Sequence, residues 1–247
     1  MVLLHVEYQL TGRAVHVWPV STQASAAVVE WFESILAPSE TERAARFRFE
    51  HLRRSFIISR GVLRLLLGRY TKTEPRDIEF AYGSKGKPTL ASPGRLQFNT
   101  SHSGDVVLFA FTLDCEIGVD VEAIRPMPDI EDIAKRFFCA EETAELMALP
   151  GDQRETGFFL CWTRKEAYIK ATGEGLSTPL DAFRVTLHPG EPASIVHLER
   201  DADAARAWTM HDLASVPEYA AALAYRDSPR PLETFQFINP KQLLDLT

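Results

Sequence analysis

The sequence is poor in cysteine and lacks a long hydrophobic run. Its 247 residues include three widely spaced cysteines and no Cys-x-x-Cys pair, so we expect free thiols in a reducing compartment rather than a disulfide scaffold. No stretch approaches eighteen consecutive apolar residues, which predicts that no segment spans a membrane. Because His5, Glu7 and Gln9 stand where a secretory signal would be apolar, we expect a cytoplasmic protein.

The signatures of several common site types are also missing. There is no Gly-x-Ser-x-Gly elbow, no Gly-x4-Gly-Lys-Ser/Thr loop, no Gly-x-Gly-x-x-Gly fingerprint, no His-Glu-x-x-His and no zinc quartet. These absences argue against an elbow-type serine hydrolase, a P-loop nucleotidase, a Rossmann dehydrogenase and a zinc enzyme. The run Lys85-Gly86-Lys87-Pro88 is therefore a basic loop that can contact an anion, not a Walker loop.

The charged residues are unevenly distributed along an otherwise ordinary globular composition. Hydrophobic residues make up 45% and charged residues 25% of the chain, and the formal net charge is −7. Residues 43–72 contain eight arginines and one lysine against the single acid Glu50, a local net charge of +8. This segment is either a solvated helix face or a site for a phosphorylated ligand or an acidic partner. Nucleic acid fits less well, because the acidic remainder of the chain would repel a long polyanion.

The spacing of apolar residues predicts an α+β fold. Helices are expected over residues 25–36, 40–50, 52–70, 130–138 and 156–171. Strands are expected over residues 3–17, from 96, and over 106–113, 117–122, 182–188, 193–198, 206–213 and 219–226. Ser39 is the expected N-cap of the second helix, and a turn at residues 114–116 is expected to close a hairpin.

Two similar halves are expected within this fold. Arg46-Phe47-Arg48-Phe49 precedes the first long helix, and Arg136-Phe137-Phe138 precedes the second. We therefore expect a pseudodimer of two subdomains, residues 1–115 and residues 116–247. Each would contain a small, mostly antiparallel sheet packed with helices.

Residues 117–122, Ile-Gly-Val-Asp-Val-Glu, form the first informative motif. Alternate residues of a strand share a face, so Asp120 and Glu122 point the same way, while Val119 and Val121 point into the core. Two carboxylates on one face repel each other unless they share a cation, which favours a hard divalent metal such as Mg²⁺. Taken alone, the pattern also fits an edge strand with a solvated polar face.

Residues 161–170 form the second motif, on a predicted helix. Trp162, Glu166 and Lys170 recur every four residues and form one stripe along it. An exposed Glu–Lys pair would contribute only about 0.3–0.5 kcal/mol to stability. Aromatic residues are seldom left on a solvated face, however. A carboxylate and an ammonium group one turn apart could also share a phosphate site, with the acid on a metal and the amine on a phosphate oxygen.

Residues 98–104, Phe-Asn-Thr-Ser-His-Ser-Gly, form the third motif. Asn99, Ser101 and His102 offer an amide, a hydroxyl and an imidazole where a strand meets a turn. Taken alone, a polar turn with a capping serine explains them equally well.

In combination and in this order, the three motifs resemble those of the 4′-phosphopantetheinyl transferases. Asn-x-Ser-His-Ser, Gly-Val-Asp-Val-Glu and Trp-Thr-x-Lys-Glu-Ala-x-x-Lys are similar to the motifs of the long, surfactin-synthetase-activating type, as is Gly-Leu-Ser-x-Pro-Leu from Gly175. The resemblance runs from about residue 39 to residue 175. It implies transfer of the phosphopantetheine arm of coenzyme A to a serine of an acyl, peptidyl or aryl carrier protein. The reaction would release 3′,5′-ADP and require Mg²⁺.

This resemblance implies roles for the acidic residues and for one lysine. Asp120, Glu122 and Glu166 would bind Mg²⁺, or alternatively Mn²⁺, and the metal would bridge the diphosphate of coenzyme A. Glu166 is the implied general base for the attacking serine hydroxyl. Lys170 would hold the diphosphate and stabilise the departing ADP.

The resemblance also implies which residues contact coenzyme A. These are Arg43, Lys85, Gly86, Lys87, Pro88, Asn99, Ser101, His102 and Lys170. Arg43 would reach the 3′-phosphate. A second arginine is expected where Ser55 stands, and either Arg53 or Arg54 would compensate for it.

The length indicates the pseudodimeric subtype, a monomer with one site between its halves, rather than the short trimeric subtype. Residues 123–150 are where this type meets its carrier protein, and Lys135, Arg136 and Phe137 are candidate contacts. Two other functions are alternatives. A coenzyme A- or nucleotide-binding module without catalysis would lack some of Asp120, Glu122, Glu166 and Lys170, all of which are present. A metal-dependent phosphoesterase that uses water in place of serine would use the same carboxylates.

Overall fold

The structure, a computed structural model, describes residues 10–83, 85–175, 178–198, 203–213 and 216–245. The α-helices are α1 (Ala26–Ser34), α2 (Pro38–Ala45), α3 (Glu50–Thr71), α4 (Ile130–Phe137), α5 (Ala140–Ala148), α6 (Arg154–Thr172) and α7 (Pro240–Leu244). The strands are β1 (Val15–Ser21), β2 (Phe80–Tyr82), β3 (Pro88–Leu90), β4 (Leu96–Ser103), β5 (Val106–Leu113), β6 (Ile117–Ala123), β7 (Phe183–Val185), β8 (Ile195–Leu198), β9 (Thr209–Asp212), β10 (Tyr219–Tyr225) and β11 (Leu232–Thr234). Within this described part, none of the helices combines the length and hydropathy that a membrane span requires.

The chain repeats one order of elements in two halves. The first half runs β1-α1-α2-α3-β2-β3-β4-β5, and the second runs β6-α4-α5-α6-β7-β8-β9-β10. Strand pairing repeats as well. β5 lies between β1 and β4, β10 lies between β6 and β9, and β2–β3 and β7–β8 form separate pairs, all antiparallel. The expected α+β fold of two similar halves with small antiparallel sheets is therefore confirmed.

Each half buries its long helix against its own sheet, and a third core joins the halves. In the first half, α3 packs with α1 and with apolar side chains of β1, β4 and β5. In the second half, α6 packs with α4, α5 and β10. The third core contains side chains of β1, β5, β6 and β10, such as Val17, Val119 and Leu223. Apolar burial of this kind is the main favourable contribution to folding.

Each long helix also carries a buried cation that pairs with a glutamate of the short helix before it. Arg64 Nε donates to Glu40 Oε2 at 2.6 Å, and Lys165 Nζ donates to Glu142 Oε2 at 2.8 Å. Both cations bond backbone carbonyls beyond the end of their helix as well. Because a buried charge is tolerated only when it is paired and fully hydrogen-bonded, these pairs fix each long helix relative to the short helix before it.

Two local expectations are wrong. Helix α2 has Ala37, not Ser39, as its N-cap, because Pro38 takes the first helical position and Glu40 accepts the Ala37 N–H at 2.9 Å. No hairpin follows β5 either. Asp114, with a φ of 56°, turns the chain out of the first sheet, and β6 pairs with β10 in the second. Of the first predicted strand, residues 3–9 lie outside the described residues.

The C-terminal segment, for which no element was predicted, returns to the first half. Strand β11 pairs in parallel with β1, and Phe235 stacks on Trp18 with 3.6 Å between ring centroids. Arg69 of α3 donates to the Leu243 carbonyl at 2.5 Å. The division of the chain after residue 115 stays a prediction, since residues 232–244 pack on elements of the first half.

Candidate active site

Strands β4 and β6 pack beside each other where the two halves meet, and hydroxyls of β4 bond the acids of β6. Ser101 Oγ donates to Asp120 Oδ1 at 2.7 Å. Two residues further along both strands, Ser103 Oγ donates to Glu122 Oε2, also at 2.7 Å. The period of two along each strand therefore sets two serines against two carboxylates.

Helix α6 lies directly on β6 because residue 118 is glycine. A Cβ at Gly118 would stand 2.0 Å from the carbonyl oxygen of Ala167, a distance that no side chain can adopt. This close approach brings Lys170 to the acids of β6. Its Nζ donates to Asp120 Oδ1 at 2.6 Å and to Ser101 Oγ at 2.8 Å.

Glu166, one helical turn before Lys170, is half-buried at the same place. Burial raises the pKa of its carboxyl group, and the negative charges of Asp120 and Glu122 raise it further, while Lys170 lowers it. The three acids of the two motifs are thus close enough for their charges to interact. A carboxyl group with a raised pKa is a better proton acceptor than an ordinary one.

The donor set of the site fits a hard divalent cation. Among the described residues, no three acidic, histidine or cysteine side chains already form a cluster that could hold a metal ion. However, Asp120 is only 4% exposed, and its buried Oδ2 has no hydrogen-bond partner. An unsatisfied buried carboxylate oxygen is costly, and a cation would satisfy it. Glu122 and Glu166 supply further carboxylate oxygens, the ligands that Mg²⁺ prefers.

Two cavities flank this group of residues. The smaller, of about 290 Å³, is lined by Lys85, Gly86, Lys87, Pro88, Asn99, Thr100, Glu166, Ile169, Lys170, Gly173 and Gly175. The larger, of about 740 Å³, lies between α3 and β4 and includes Ser101, His102, Ser103 and Arg43 in its walls. Thr100 lines both cavities. The expected coenzyme A contacts are therefore brought together around one strand, β4.

Three arginines of the basic segment, Arg43, Arg53 and Arg54, lie in different surroundings. Arg43 lines the larger cavity, with its guanidinium carbon 5.0 Å from the centroid of the Phe56 ring. Arg54 lines the same cavity and donates to the Ala24 carbonyl at 2.6 Å. Arg53 instead forms ion pairs with acids on α1 and α3, the closest with Glu33 at 2.5 Å.

Lys87 has a contact that the motifs did not predict. Its Nζ donates to the carbonyl oxygens of Lys170 at 2.7 Å, Ala171 at 3.4 Å and Ile117 at 3.3 Å. A cation at this point complements the negative end of the α6 dipole. Burial lowers the pKa of its ammonium group. The side chain thus ties the β2–β3 hairpin to α6, and a contact of this residue with a nucleotide stays a prediction.

Sequence reasoning overlooked two contributors to this site, Ser103 and Gly118, and one structural role of a third, Asn99. Asn99, expected to contact the ligand, is buried and accepts the Val119 N–H at 3.0 Å, so it also fixes β6. Ser103 was not assigned, although it alternates with Ser101 just as Glu122 alternates with Asp120. Gly118 carried a signal too, since a glycine inside a strand indicates close backbone approach.

Comparison with known proteins gives one consistent family. Residues 116–224 match a model described as the 4′-phosphopantetheinyl transferase superfamily, and residues 20–113 match one described as 4′-phosphopantetheinyl transferase, N-terminal. A crystal structure of Thermotoga maritima holo-[acyl-carrier-protein] synthase covers 46% of this chain and 64% of that chain, with a TM-score of 0.36 and 22% identity.

Several relatives carry the name 4′-phosphopantetheinyl transferase, among them HetI and Sfp. HetI of Nostoc sp. is 38% identical over 218 residues, which are 87% of this chain and 89% of HetI. Sfp of Bacillus subtilis is 35% identical over 166 residues, 67% of this chain and 73% of Sfp. With both family models and these alignments in agreement, the chain belongs to the 4′-phosphopantetheinyl transferase superfamily of enzymes.

Proposed function

We propose that this enzyme transfers the 4′-phosphopantetheine group of coenzyme A to a serine of an apo carrier-protein domain, releases 3′,5′-ADP and requires Mg²⁺. One observation carries the proposal beyond family membership. Lys170, Ser101 and the buried Asp120 form a hydrogen-bonded cluster where the halves meet, and one oxygen of Asp120 is left without a partner. Such a cluster combines a lysine that can bind a phosphate with a carboxylate that can bind a metal ion.

The acids of β6 and α6 would hold the metal. Asp120, Glu122 and Glu166 would be its protein ligands, and when bound it would neutralise the diphosphate of coenzyme A. Lys170 would then exchange part of its contact with Asp120 for a diphosphate oxygen. Mn²⁺ offers the same preference for carboxylate oxygens and is the alternative metal.

Glu166 would act on the attacking serine, and Lys170 would act on the leaving group. The serine oxygen of the carrier attacks the phosphorus that bears the pantetheine arm, and the bond from that phosphorus to the bridging oxygen breaks. The raised pKa of Glu166 suits it to accept the serine proton, directly or through water. Lys170 would stabilise the negative charge that develops on the departing 3′,5′-ADP.

The two cavities would receive the nucleotide part of coenzyme A. The smaller one, with Lys85, Gly86 and Pro88, would take the adenosine side, and the larger one would take the phosphates at Ser101 and His102. Arg43 and Arg54 would bind the 3′-phosphate there. This gives the basic segment a ligand, because a multiply charged phosphate ester is attracted to a cavity lined by arginines.

Helix α4 would contribute to carrier-protein binding. Lys135 and Arg136 are exposed on it, whereas Phe137 is half-buried and packs edge-on against Trp162 at 5.7 Å. The two cations suit an acidic carrier surface, and Phe137 links that surface to the catalytic helix. Because both walls of the site belong to one chain, we propose a monomer, acting in the cytoplasm.

Release of 3′,5′-ADP tests the reaction. With coenzyme A and Mg²⁺, the enzyme should release it only when an apo carrier protein is present. Asp120→Ala should lower the rate about a hundredfold or more while the protein stays folded. The control is Asp114→Asn, which changes an exposed acid paired with Arg95 and should leave the rate unchanged.

Two other outcomes would contradict the proposal. Release without a carrier protein would identify a phosphoesterase that uses water. Binding of coenzyme A with no release on any carrier would identify a non-catalytic module.

A further inference from the structure

Ser103 is the one member of the hydroxyl–carboxylate pairs for which the proposed reaction provides no role. Ser101, its neighbour on the same face of β4, shares its hydroxyl between Asp120 and Lys170. Among the acidic side chains that the structure describes, the Ser103 hydroxyl contacts only Glu122, at 2.7 Å. Its position between the larger cavity and the end of β6 therefore requires a separate explanation.

The direction of the Ser103 hydrogen bond can be assigned from its two partners. The backbone N–H of Ala123 donates to Ser103 Oγ at 3.1 Å, so that oxygen acts as an acceptor there. The single hydroxyl proton of Ser103 is donated to Glu122 Oε2 at 2.7 Å. Ser103 therefore links the side chain of Glu122 to the backbone of the next residue.

Ser103 is itself held in place by the backbone around it. It is 9% exposed and pairs with Val106 at the end of β4. Gly104 follows with a φ of 53°, so a tight turn joins the two strands immediately after it. A fixed hydroxyl of this kind restricts the rotamers of the glutamate that it bonds.

We propose that Ser103 is a positioning residue that orients Glu122 for binding of a divalent cation. This inference rests on the proposed function, in which Glu122 is a metal ligand. Groups that hydrogen-bond a ligand from outside the coordination sphere commonly change metal affinity about 10–100-fold when removed. One Glu122 oxygen accepts the hydrogen bond from the hydroxyl, and a carboxylate has further lone pairs with which it can bind a cation.

Binding of Mn²⁺ to the purified enzyme, measured by electron paramagnetic resonance with and without coenzyme A, tests this role. Ser103→Ala should raise the Kd for Mn²⁺ about tenfold, and Ser103→Thr, which keeps the hydroxyl, should restore it to near the wild-type value. In Ser103→Ala combined with Glu122→Gln, the Kd should match that of Glu122→Gln alone, because the hydroxyl acts through this carboxylate.

A matched control separates positioning from general loss of stability. Thr112→Val removes another buried strand hydroxyl, which donates to the Ala14 carbonyl away from the site. It should lower the unfolding temperature without changing the Kd for Mn²⁺. The Ser103 inference alone fails if wild type binds Mn²⁺, Glu122→Gln weakens binding and Ser103→Ala does not. If wild type binds no Mn²⁺ under either condition, the metal assignment and the Ser103 inference are both overturned.

Discussion

At the scale of single residues, the site depends on acids that are held close together against their mutual repulsion. Asp120 shares one oxygen with Ser101 and Lys170 and leaves the other without a partner. The pKa of Glu166 is raised, first by burial and then by the neighbouring acids. The metal-free protein therefore carries an electrostatic cost at this point, which binding of a cation would relieve.

This electrostatic cost should make the free energy of unfolding of the metal-free protein depend on pH. Because the Glu166 pKa is raised in the folded state, the folded protein keeps this proton to higher pH than the unfolded chain. Its contribution to stability therefore falls as pH rises from the ordinary value of 4.5 through the raised pKa. Glu166→Gln should unfold at a higher temperature than wild type at about pH 8, and the difference should shrink below about pH 4. A difference that is independent of pH would contradict this.

Arg53 and Arg54 offer a second test at the scale of single residues. Arg54→Ala should raise the KM for coenzyme A about tenfold or more with little change in kcat, because it removes a charged hydrogen-bond donor from the larger cavity. Arg53→Ala is the matched control. It removes only ion pairs with Glu33 and Glu50 and should leave the KM near the wild-type value. The reverse result would assign the phosphate contact to Arg53.

The residues of the site could be predicted where local periodicity decides geometry. The period of two along a strand placed Asp120 and Glu122 together, and the helical period placed Glu166 near Lys170. The contact of Lys87 with the end of α6 could not be predicted, because it depends on how the hairpin meets the other half. The ion pair of Arg53 with Glu33 of α1 likewise depends on which elements meet in space.

At the scale of elements, the geometry of the proposed active site depends on the contact between α6 and β6. Gly118 makes this contact possible on one side, and Lys87 ties the end of α6 to the β2–β3 hairpin on the other. Elements were predictable where their apolar pattern is strong, as for β5 and α6. The direction of the chain after Asp114 was not, since a residue with positive φ serves a hairpin and an inter-sheet turn equally well.

Gly118→Ala tests this element contact. The new Cβ would overlap the backbone of α6, so the helix must shift, which costs about 1–3 kcal/mol or more in the free energy of unfolding. Transfer activity should fall with it, because Lys170 and Glu166 move with the helix. Gly151→Ala is the control, since nothing lies within 4 Å of a Cβ there. Equal stability and activity of the two variants would show that α6 tolerates displacement.

At the scale of the whole molecule, two repeated halves of a single chain together form the candidate site. The halves share an order of elements, a strand pairing and a buried ion pair, although Arg46–Phe49 and Arg136–Phe138 do not stand at equivalent places. The first of these runs lies between α2 and α3, and the second lies around the end of α4. The two halves are therefore related by their packing and topology, and the similarity of these two short sequence runs does not reflect that relation.

The proposed monomeric state can be tested by light scattering after size-exclusion chromatography. The mass should stay near 27.8 kDa over a wide range of protein concentration. Both sides of the site come from one chain, so no second copy is needed to complete it. A mass that doubles or triples at the concentrations used for activity would contradict the proposed monomer.

The most direct test of the proposed function is intact-mass spectrometry of an apo carrier protein incubated with the enzyme, coenzyme A and Mg²⁺. The carrier protein should gain the mass of one phosphopantetheine group, and the gain should disappear with EDTA or with Asp120→Ala. An unmodified carrier protein after incubation with wild-type enzyme, or full modification by Asp120→Ala, would contradict the assignment of this site.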